Sequence, residues 1–100
     1  MTPALFKKFE FIGFEPSAGV IARAMEQIGR VFGESPSDST TFAFIKKTAR
    51  GFEGCLQVRS AAGTFVAHVI GDDPVSVVRR MSRKVRSQLR IWKRDRVFAT

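Results

Sequence analysis

Cysteine, histidine and tyrosine are scarce in this chain of 100 residues. It has one cysteine, Cys55, one histidine, His68, and no tyrosine. A single thiol excludes an internal disulfide and a zinc site built from several cysteines. It is also typical of a reducing compartment. No apolar stretch of signal-peptide length is found near the N-terminus, so cytoplasmic residence is the expected localisation.

Acidic residues are also few, and long apolar runs are missing. Nine Asp and Glu stand against 17 Lys and Arg, which gives a formal net charge of +8. The apolar runs are too short to span a bilayer. The length, with 44% hydrophobic and 26% charged residues, predicts one globular domain over residues 1–100. Its charge favours an acidic partner, nucleic acid first and an anionic membrane second.

The hydrophobic pattern predicts four strands. FEFIG at 9–13 alternates and stops at a glycine. Three further strands are expected at residues 40–48, 52–60 and 64–71, which are rich in aromatic and β-branched side chains. Short connectors join these three, and short connectors favour antiparallel hairpins.

Two helices complete the pattern. Ser17 is expected to cap the first helix, and Gly33 to end it. Asp73 is expected to cap the second, with Pro74 as its first residue and its end near Asp95. The order β-α-β-β-β-α predicts the α+β class: a two-layer sandwich of a four-stranded sheet with both helices on one face.

Periodicity also assigns side chains to faces. The first helix should bury Ile21, Met25, Ile28 and Phe32. In the second strand, Phe42 and Phe44 are expected to share the helix-covered side. The sheet face away from the helices should then carry Ile12, Ala43, Ile45, Cys55, Val66 and Ile70. These are either scattered residues among polar ones or a surface for self-association or a protein partner.

The last helix has two distinct faces. At about 100° per residue, one sector collects the apolar side chains expected to cover the sheet: Val78, Met81, Val85, Leu89 and Trp92. A second sector, centred well away from the first, collects Arg79, Arg83, Arg86, Arg90 and Arg94. Residues 74–94 contain no acid that could pair with these arginines along the helix.

A phosphate backbone would explain this helix better than solvation alone. A solvated face normally mixes both signs of charge, and aligned arginines repel one another unless an anion lies across them. Arginine also favours bidentate phosphate contacts. The predicted RNA-binding residues are Arg79, Arg83, Lys84, Arg86, Arg90, Lys93 and Arg94. Lys46, Lys47 and Arg50 either extend this surface or keep a turn soluble.

The same segment carries a family resemblance. GDDPVSVVRRMSRKVRSQL at 71–89 resembles the hibernation-promoting factor family, also called the ribosome-associated inhibitor or sigma-54-modulation family. That family has Gly-x-Asp after its fourth strand, then a helix with a Lys and, soon after, Gln-Leu. The matching residues here are Gly71, Asp73, Lys84, Gln88 and Leu89. FIGFE at 11–15 and IKK at 45–47 are also similar, and the likeness runs from about Phe9 to Arg96. The chain departs from the pattern at Val75, often an aromatic, and at Arg79, often an acid.

The resemblance implies binding to the small ribosomal subunit, in the channel of mRNA and tRNA anticodons. Such proteins occlude that channel and keep ribosomes idle in starvation or stationary phase. They are not enzymes and need no cofactor. The chain resembles a short form without the C-terminal dimerisation domain of long members.

Three other interpretations compete with this one. Cys55 and His68 could be neighbours on the sheet, but no nucleophile motif or acid pair surrounds them, so catalysis is not expected. A general double-stranded RNA or DNA-binding module is the main alternative, although DDPVSVV opens the helix with acids rather than lysines. A membrane-surface helix is disfavoured because its apolar stripe is needed to cover the sheet.

Overall fold

The computed structural model describes residues 7–98, with side chains from residue 8 to residue 95. Its elements are β1 (Lys7–Ile12), α1 (Ala18–Glu34), β2 (Thr40–Thr48), β3 (Gly51–Ser60), β4 (Gly63–Gly71) and α2 (Pro74–Phe98). The four strands form one sheet in the order β1-β2-β3-β4. β1 is parallel to β2, and the other two pairs are antiparallel hairpins. The predicted order and the α+β sandwich are confirmed.

Both predicted helix caps are present. Ser17 Oγ accepts a hydrogen bond of 3.2 Å from the backbone N–H of Val20, and Asp73 Oδ2 accepts one of 2.9 Å from Ser76. α1 ends one residue beyond Gly33, and α2 continues past Asp95 to Phe98. The sequence RVF after Asp95 contains neither glycine nor proline, so nothing local stops the helix there. The side chain of Arg96 lies outside the described residues.

The apolar stripe of α2 forms the centre of the core. Its predicted members Val78, Met81, Val85 and Leu89 are buried against the sheet. Trp92 extends the stripe, with its ring centroid 6.0 Å from that of Phe65 on β4. The prediction for this face is confirmed because α2 is apolar on one side only, so periodicity alone fixes its orientation.

The predicted buried face of α1 is confirmed at Ile28 and in part at Met25, but its centre is displaced by a fraction of a turn. The buried residues are Ala24, Ile28 and Val31, whereas Ile21 is 40% exposed. α1 packs beside α2, and its buried residues belong to the shared hydrophobic core. The position of that neighbouring helix selects which side of α1 is buried, and the period of one helix cannot locate its neighbour.

The predicted faces of β2 are also reversed. Ala43 and Ile45 are fully buried beneath the helices, and Phe42 and Phe44 lie on the opposite face. The helix-covered volume beside β2 is already filled by other phenylalanines: Phe9, Phe11, Phe14 and Phe52. A small alanine therefore fits under the helices where a fifth ring would not.

The free edge of β4 is closed by α2. The side-chain amide of Gln88 accepts a hydrogen bond of 3.0 Å from Val66 N–H and donates one of 2.7 Å to Val66 C=O. Arg80 Nη1 donates to the Ile70 carbonyl at 3.1 Å. These contacts occupy backbone groups that an additional strand would otherwise pair with.

Gly54 on β3 sets the distance between α2 and the sheet. A Cβ atom built there would overlap Val77 Cγ1 and stand 2.6 Å from Met81 Sδ. We expect Gly54→Ala to destabilise the protein by about 1–3 kcal/mol, because the helix must move away from the sheet. Urea unfolding measures this change.

Gly29→Ala is the matched control for Gly54→Ala. An added Cβ at Gly29 meets no atom within 4 Å. Because alanine favours the helix, this substitution should stabilise the protein by about 0.5–1 kcal/mol. Equal effects of the two substitutions would contradict the packing argument.

Candidate nucleic-acid interface

The five arginines predicted to share one sector lie on α2 away from its buried stripe. We call Arg79, Arg83, Arg86, Arg90 and Arg94 the basic stripe. Four of them are exposed, and Arg86 is half-buried. The side chains of Arg90 and Arg94 are 63% and 64% exposed, against 25% for Arg86. The stripe is thus accessible at both ends and partly covered in the middle.

Glu34, at the end of α1, covers that middle part. Its Oε2 accepts a hydrogen bond of 2.7 Å from Arg86 Nε, and its Oε1 lies 3.5 Å from Arg90 Nε. The expectation that aligned arginines need an anion is therefore met in part within the fold. The sequence pattern of α2 does not reveal this acid because it comes from another helix, 52 residues earlier in the chain.

The two arginines determine the charge state of Glu34. Burial by itself raises the pKa of this carboxyl, but the hydrogen bond and charge of Arg86, together with Arg90, outweigh it. The pKa therefore lies below its ordinary value of 4.5. The carboxylate stays ionised at neutral pH and fixes Arg86 in one orientation.

Arg23 on α1 is a further basic residue beside the stripe, and it is not among the predicted RNA-binding residues. It lines a small cleft between the helices together with Arg79, Glu26, Gln27 and Val75. Since α1 and α2 run in the same direction, their first turns lie side by side. The exposed cations of the two helices thus meet at this end of the stripe, a contact that no local pattern in the sequence could reveal.

Lys84 and Lys93 are exposed on α2 outside the five-arginine stripe. Lys84 lies one turn after Arg80 and one turn before Gln88. It is therefore on the side of α2 that faces the β4 edge, at the margin of any surface centred on the stripe.

The secondary candidates do not all lie on one face of the sheet. Lys46 is on the uncovered face of the sheet, where Glu53 is its neighbour across the strands. Lys47 points to the opposite side, with Nζ 4.6 Å from the Phe52 ring centroid. Arg50 is exposed in the turn between β2 and β3. Alternation along β2 separates the two adjacent lysines.

Cys55 and His68 are cross-strand neighbours, as predicted. Burial raises the pKa of the Cys55 thiol, and the charge of Glu53 raises it further. His68 Nε2 lies 3.1 Å from Glu53 Oε2, so the imidazole is next to a carboxylate. A raised pKa keeps the thiol protonated at neutral pH, which opposes its use as a nucleophile.

The described part of the chain has neither a metal-binding cluster nor a membrane-spanning helix. Between residues 8 and 95, no cluster of three or more His, Cys, Asp or Glu side chains could hold a metal ion. No helix within residues 7–98 is both long and apolar enough to cross a membrane.

Fold and surface together define a two-layer α+β protein with a basic outer helix, and solved structures share this fold. The chain superposes on the N-terminal domain of Protein Y from Thermus thermophilus with a TM-score of 0.68 and 12% identity, covering 85% of this chain and 93% of that one. A ribosomal subunit interface protein from Coxiella burnetii gives a TM-score of 0.73 and 15% identity, with coverage of 89% and 98%. No family model and no curated protein matches the sequence. The family resemblance found in the sequence is thus matched by the fold of these neighbours.

The contact between Glu34 and Arg86 predicts a pH-dependent part of the stability. Because the pKa of Glu34 is lowered on folding, its contribution is complete above about pH 4.5 and is lost as the pH falls through the folded-state pKa. We expect Glu34→Gln to destabilise the protein by about 1–2 kcal/mol at pH 7, and this difference from the parent to disappear as the pH falls through the folded-state pKa of Glu34. Urea unfolding over a pH series tests this.

Glu26→Gln is the control for that substitution. Glu26 pairs with Arg30 on the surface of α1, where both side chains are more than half exposed. An exposed pair at this spacing is worth less than about 0.5 kcal/mol. Two results would contradict the prediction: Glu34→Gln lowers the free energy of unfolding no more than Glu26→Gln does, or its effect persists at low pH. Either result would show that Glu34 does not stabilise the helix pair through its charge.

Proposed function

We propose that this protein is a cytoplasmic ribosome-associated factor of the hibernation-promoting type, which binds ribosomal RNA of the small subunit and suppresses translation. The observation that carries this proposal is the basic stripe, which a folding argument does not require. Glu34 balances part of the charge of Arg86 and Arg90, while Arg79 and Arg83 lie on the exposed side of α2. The fold shared with a ribosomal subunit interface protein supports the same class of target.

The stripe suits an RNA backbone better than unpaired bases. From Arg79 to Arg94 it follows α2 for about 22 Å, a length that can contact several phosphates. The single tryptophan, Trp92, packs against Phe65 in the core and is not available for stacking on bases. Recognition through phosphates and the shape of folded RNA is therefore the mode that we propose.

The roles of the other basic residues are part of the proposal. Arg23 adds to the contact surface at the Arg79 end, and Lys84 and Lys93 add to its margins. Lys46, Lys47 and Arg50 were predicted as secondary contacts, and their spread over two faces favours Arg50 and Lys47 over Lys46. Bound in the mRNA and tRNA channel, the protein would block translation sterically, without catalysis, cofactor or membrane.

A general double-stranded RNA or DNA-binding module is the alternative function. The same arginines would serve it, because phosphates are common to all nucleic acids. Co-sedimentation with purified subunits, with duplex RNA as competitor, separates the two. Retention on the small subunit despite the competitor supports the proposal, and equal binding to both subunits and to duplex contradicts it.

Removal of Arg79 and Arg83 tests the surface itself. We expect Arg79→Gln and Arg83→Gln each to weaken small-subunit binding and to reduce the slope of log affinity against log salt by roughly 1, because each removes one phosphate contact. Binding is measured by co-sedimentation over a salt series. These two positions are preferable to Arg86, where an acidic substitution would face Glu34 and impair folding.

Arg59→Gln is the charge-matched control. Arg59 is exposed on the sheet face that α2 does not cover. The substitution lowers the net charge by the same amount and should leave the salt slope unchanged. If Arg59→Gln weakened binding as much as Arg79→Gln, net charge rather than the stripe would be responsible.

A further inference from the structure

The sheet face that the helices leave uncovered is apolar at its centre. We call this the open face. Phe42 and Phe44 lie on it with ring centroids 6.3 Å apart, and Val66 and Ile70 on β4 are 43% and 63% exposed. The reversed orientation of β2 gives this face two phenylalanines in place of Ala43 and Ile45. An apolar centre of this kind marks an interaction surface.

The open face is also nearly neutral on a protein with a net charge of +8. Lys8 Nζ pairs with Glu10 Oε1 at 2.8 Å, and Glu53 lies across the strands from Lys46. By contrast, residues 79–96 hold nine Lys and Arg and one acid, so this stretch alone accounts for the whole formal charge of +8. A polyanion has little reason to bind the open face. Two copies of the same cationic protein, however, repel each other least when they meet there.

We propose that the open face forms a symmetric homodimer, with the two-fold axis parallel to the strands and between β2 and β3. The two sheets then pack face to face about 10 Å apart, as in a β-sandwich. This axis places β1 over the partner's β4 and β2 over the partner's β3. Closed two-fold dimers are the commonest oligomers, and each contact occurs twice.

The strand register makes this arrangement self-complementary in one row of side chains. The row Ile12, Lys46, Glu53 and Ile70 runs across the sheet from β1 to β4. Under the proposed axis, Lys46 lies over the partner's Glu53, and Ile12 over the partner's Ile70. Each dimer therefore contains two contacts between opposite charges and two contacts between apolar side chains.

The next row gives the same result. It consists of Glu10, Phe44, Cys55 and His68. The axis places Glu10 over the partner's His68, and Phe44 over the half-buried thiol of the partner's Cys55. A carboxylate thus meets an imidazole, and a ring meets a soft apolar group.

The area of the face is sufficient for a dimer of moderate affinity. Four strands about 4.8 Å apart and about 30 Å long cover roughly 600 Å² per subunit, so the dimer would bury roughly 1,200 Å² in total. This is the lower end of the range for specific interfaces.

The β4 edge is occupied by Gln88 and Arg80, so the dimer does not form by pairing of β4 edges. The basic stripe stays on the outside of the dimer, and the proposal does not depend on the ribosomal target.

Sedimentation equilibrium of the full chain without RNA tests the dimer. We expect dimers above roughly 10 µM, and at least about a tenfold lower association constant for Ile70→Asp. Ile91→Asp is the matched control, because Ile91 is 47% exposed on α2, in the helical layer rather than on the open face. It should leave the association constant unchanged. Circular dichroism verifies that each variant is folded.

Complementary charge variants test the symmetry axis. Lys46→Glu places two acids against each other in its homodimer, and Glu53→Lys places two bases against each other, so each variant alone should be monomeric. When the two variants are mixed, position 46 of each subunit lies over position 53 of the other, and both contacts join an acid with a base. A heterodimer should therefore form. In each variant, residues 46 and 53 of the same chain carry like charges and repel each other, and mixing does not change this. Association that appears only in the mixture must therefore come from the interface between the subunits.

Two results would overturn the proposal. One is a parent protein that stays monomeric at concentrations up to about 1 mM. The other is a mixture of the two folded charge variants that fails to associate. If the parent is monomeric and Ile70→Asp binds ribosomes more weakly than the parent, the open face belongs to the ribosomal complex instead. A parent protein that dimerises but does not bind ribosomes would contradict the proposed function and leave the dimer proposal standing.

Discussion

The contact between α2 and β3 is the constraint on which the other features depend. Gly54 allows Val77 and Met81 to approach the strand closely, so the apolar stripe of α2 is held against the sheet. Because one side of α2 is packed against the sheet, the helix cannot rotate about its own axis. The basic stripe therefore faces outward because the core does not allow another orientation, and its position requires no stabilising contact of its own.

Such an orientation has an electrostatic cost, and α1 offsets part of it. Arginines one turn apart on α2 repel one another across a distance of about 6 Å. Glu34 reduces this repulsion where the stripe is half-buried, at Arg86, because charges there are less screened by water than at the exposed ends. At the C-terminal end, Arg94 has an exposed contact with Asp95, with Nε and Oδ1 3.8 Å apart. The structure thus pairs the half-buried Arg86 with a carboxylate and leaves exposed the arginines that an external anion can reach.

The parts of the fold that could be predicted from the sequence are those with a one-sided pattern. α2 is apolar on one sector, and its cap, its outward arginines and most of its buried residues followed from spacing; the buried Val77 and Ser82 were not predicted. β2 has apolar side chains on both faces, and the choice between them depends on the phenylalanines of β1 and β3, which are distant in sequence. The ion pair of Glu34 and the cleft beside Arg23 could not be predicted either. Both depend on the relative position of two helices, which no local pattern specifies.

Charge and apolar surface are separated onto opposite sides of the molecule. Outside residues 79–96 the chain holds eight basic and eight acidic residues, so its remaining parts are neutral as a whole. A two-layer sandwich has two outer surfaces, one made by helices and one by the bare sheet. The helical surface carries the charge, and the sheet carries exposed apolar side chains such as Ile70. Partners of different chemistry can therefore bind the two sides at once, because neither surface needs residues of the other.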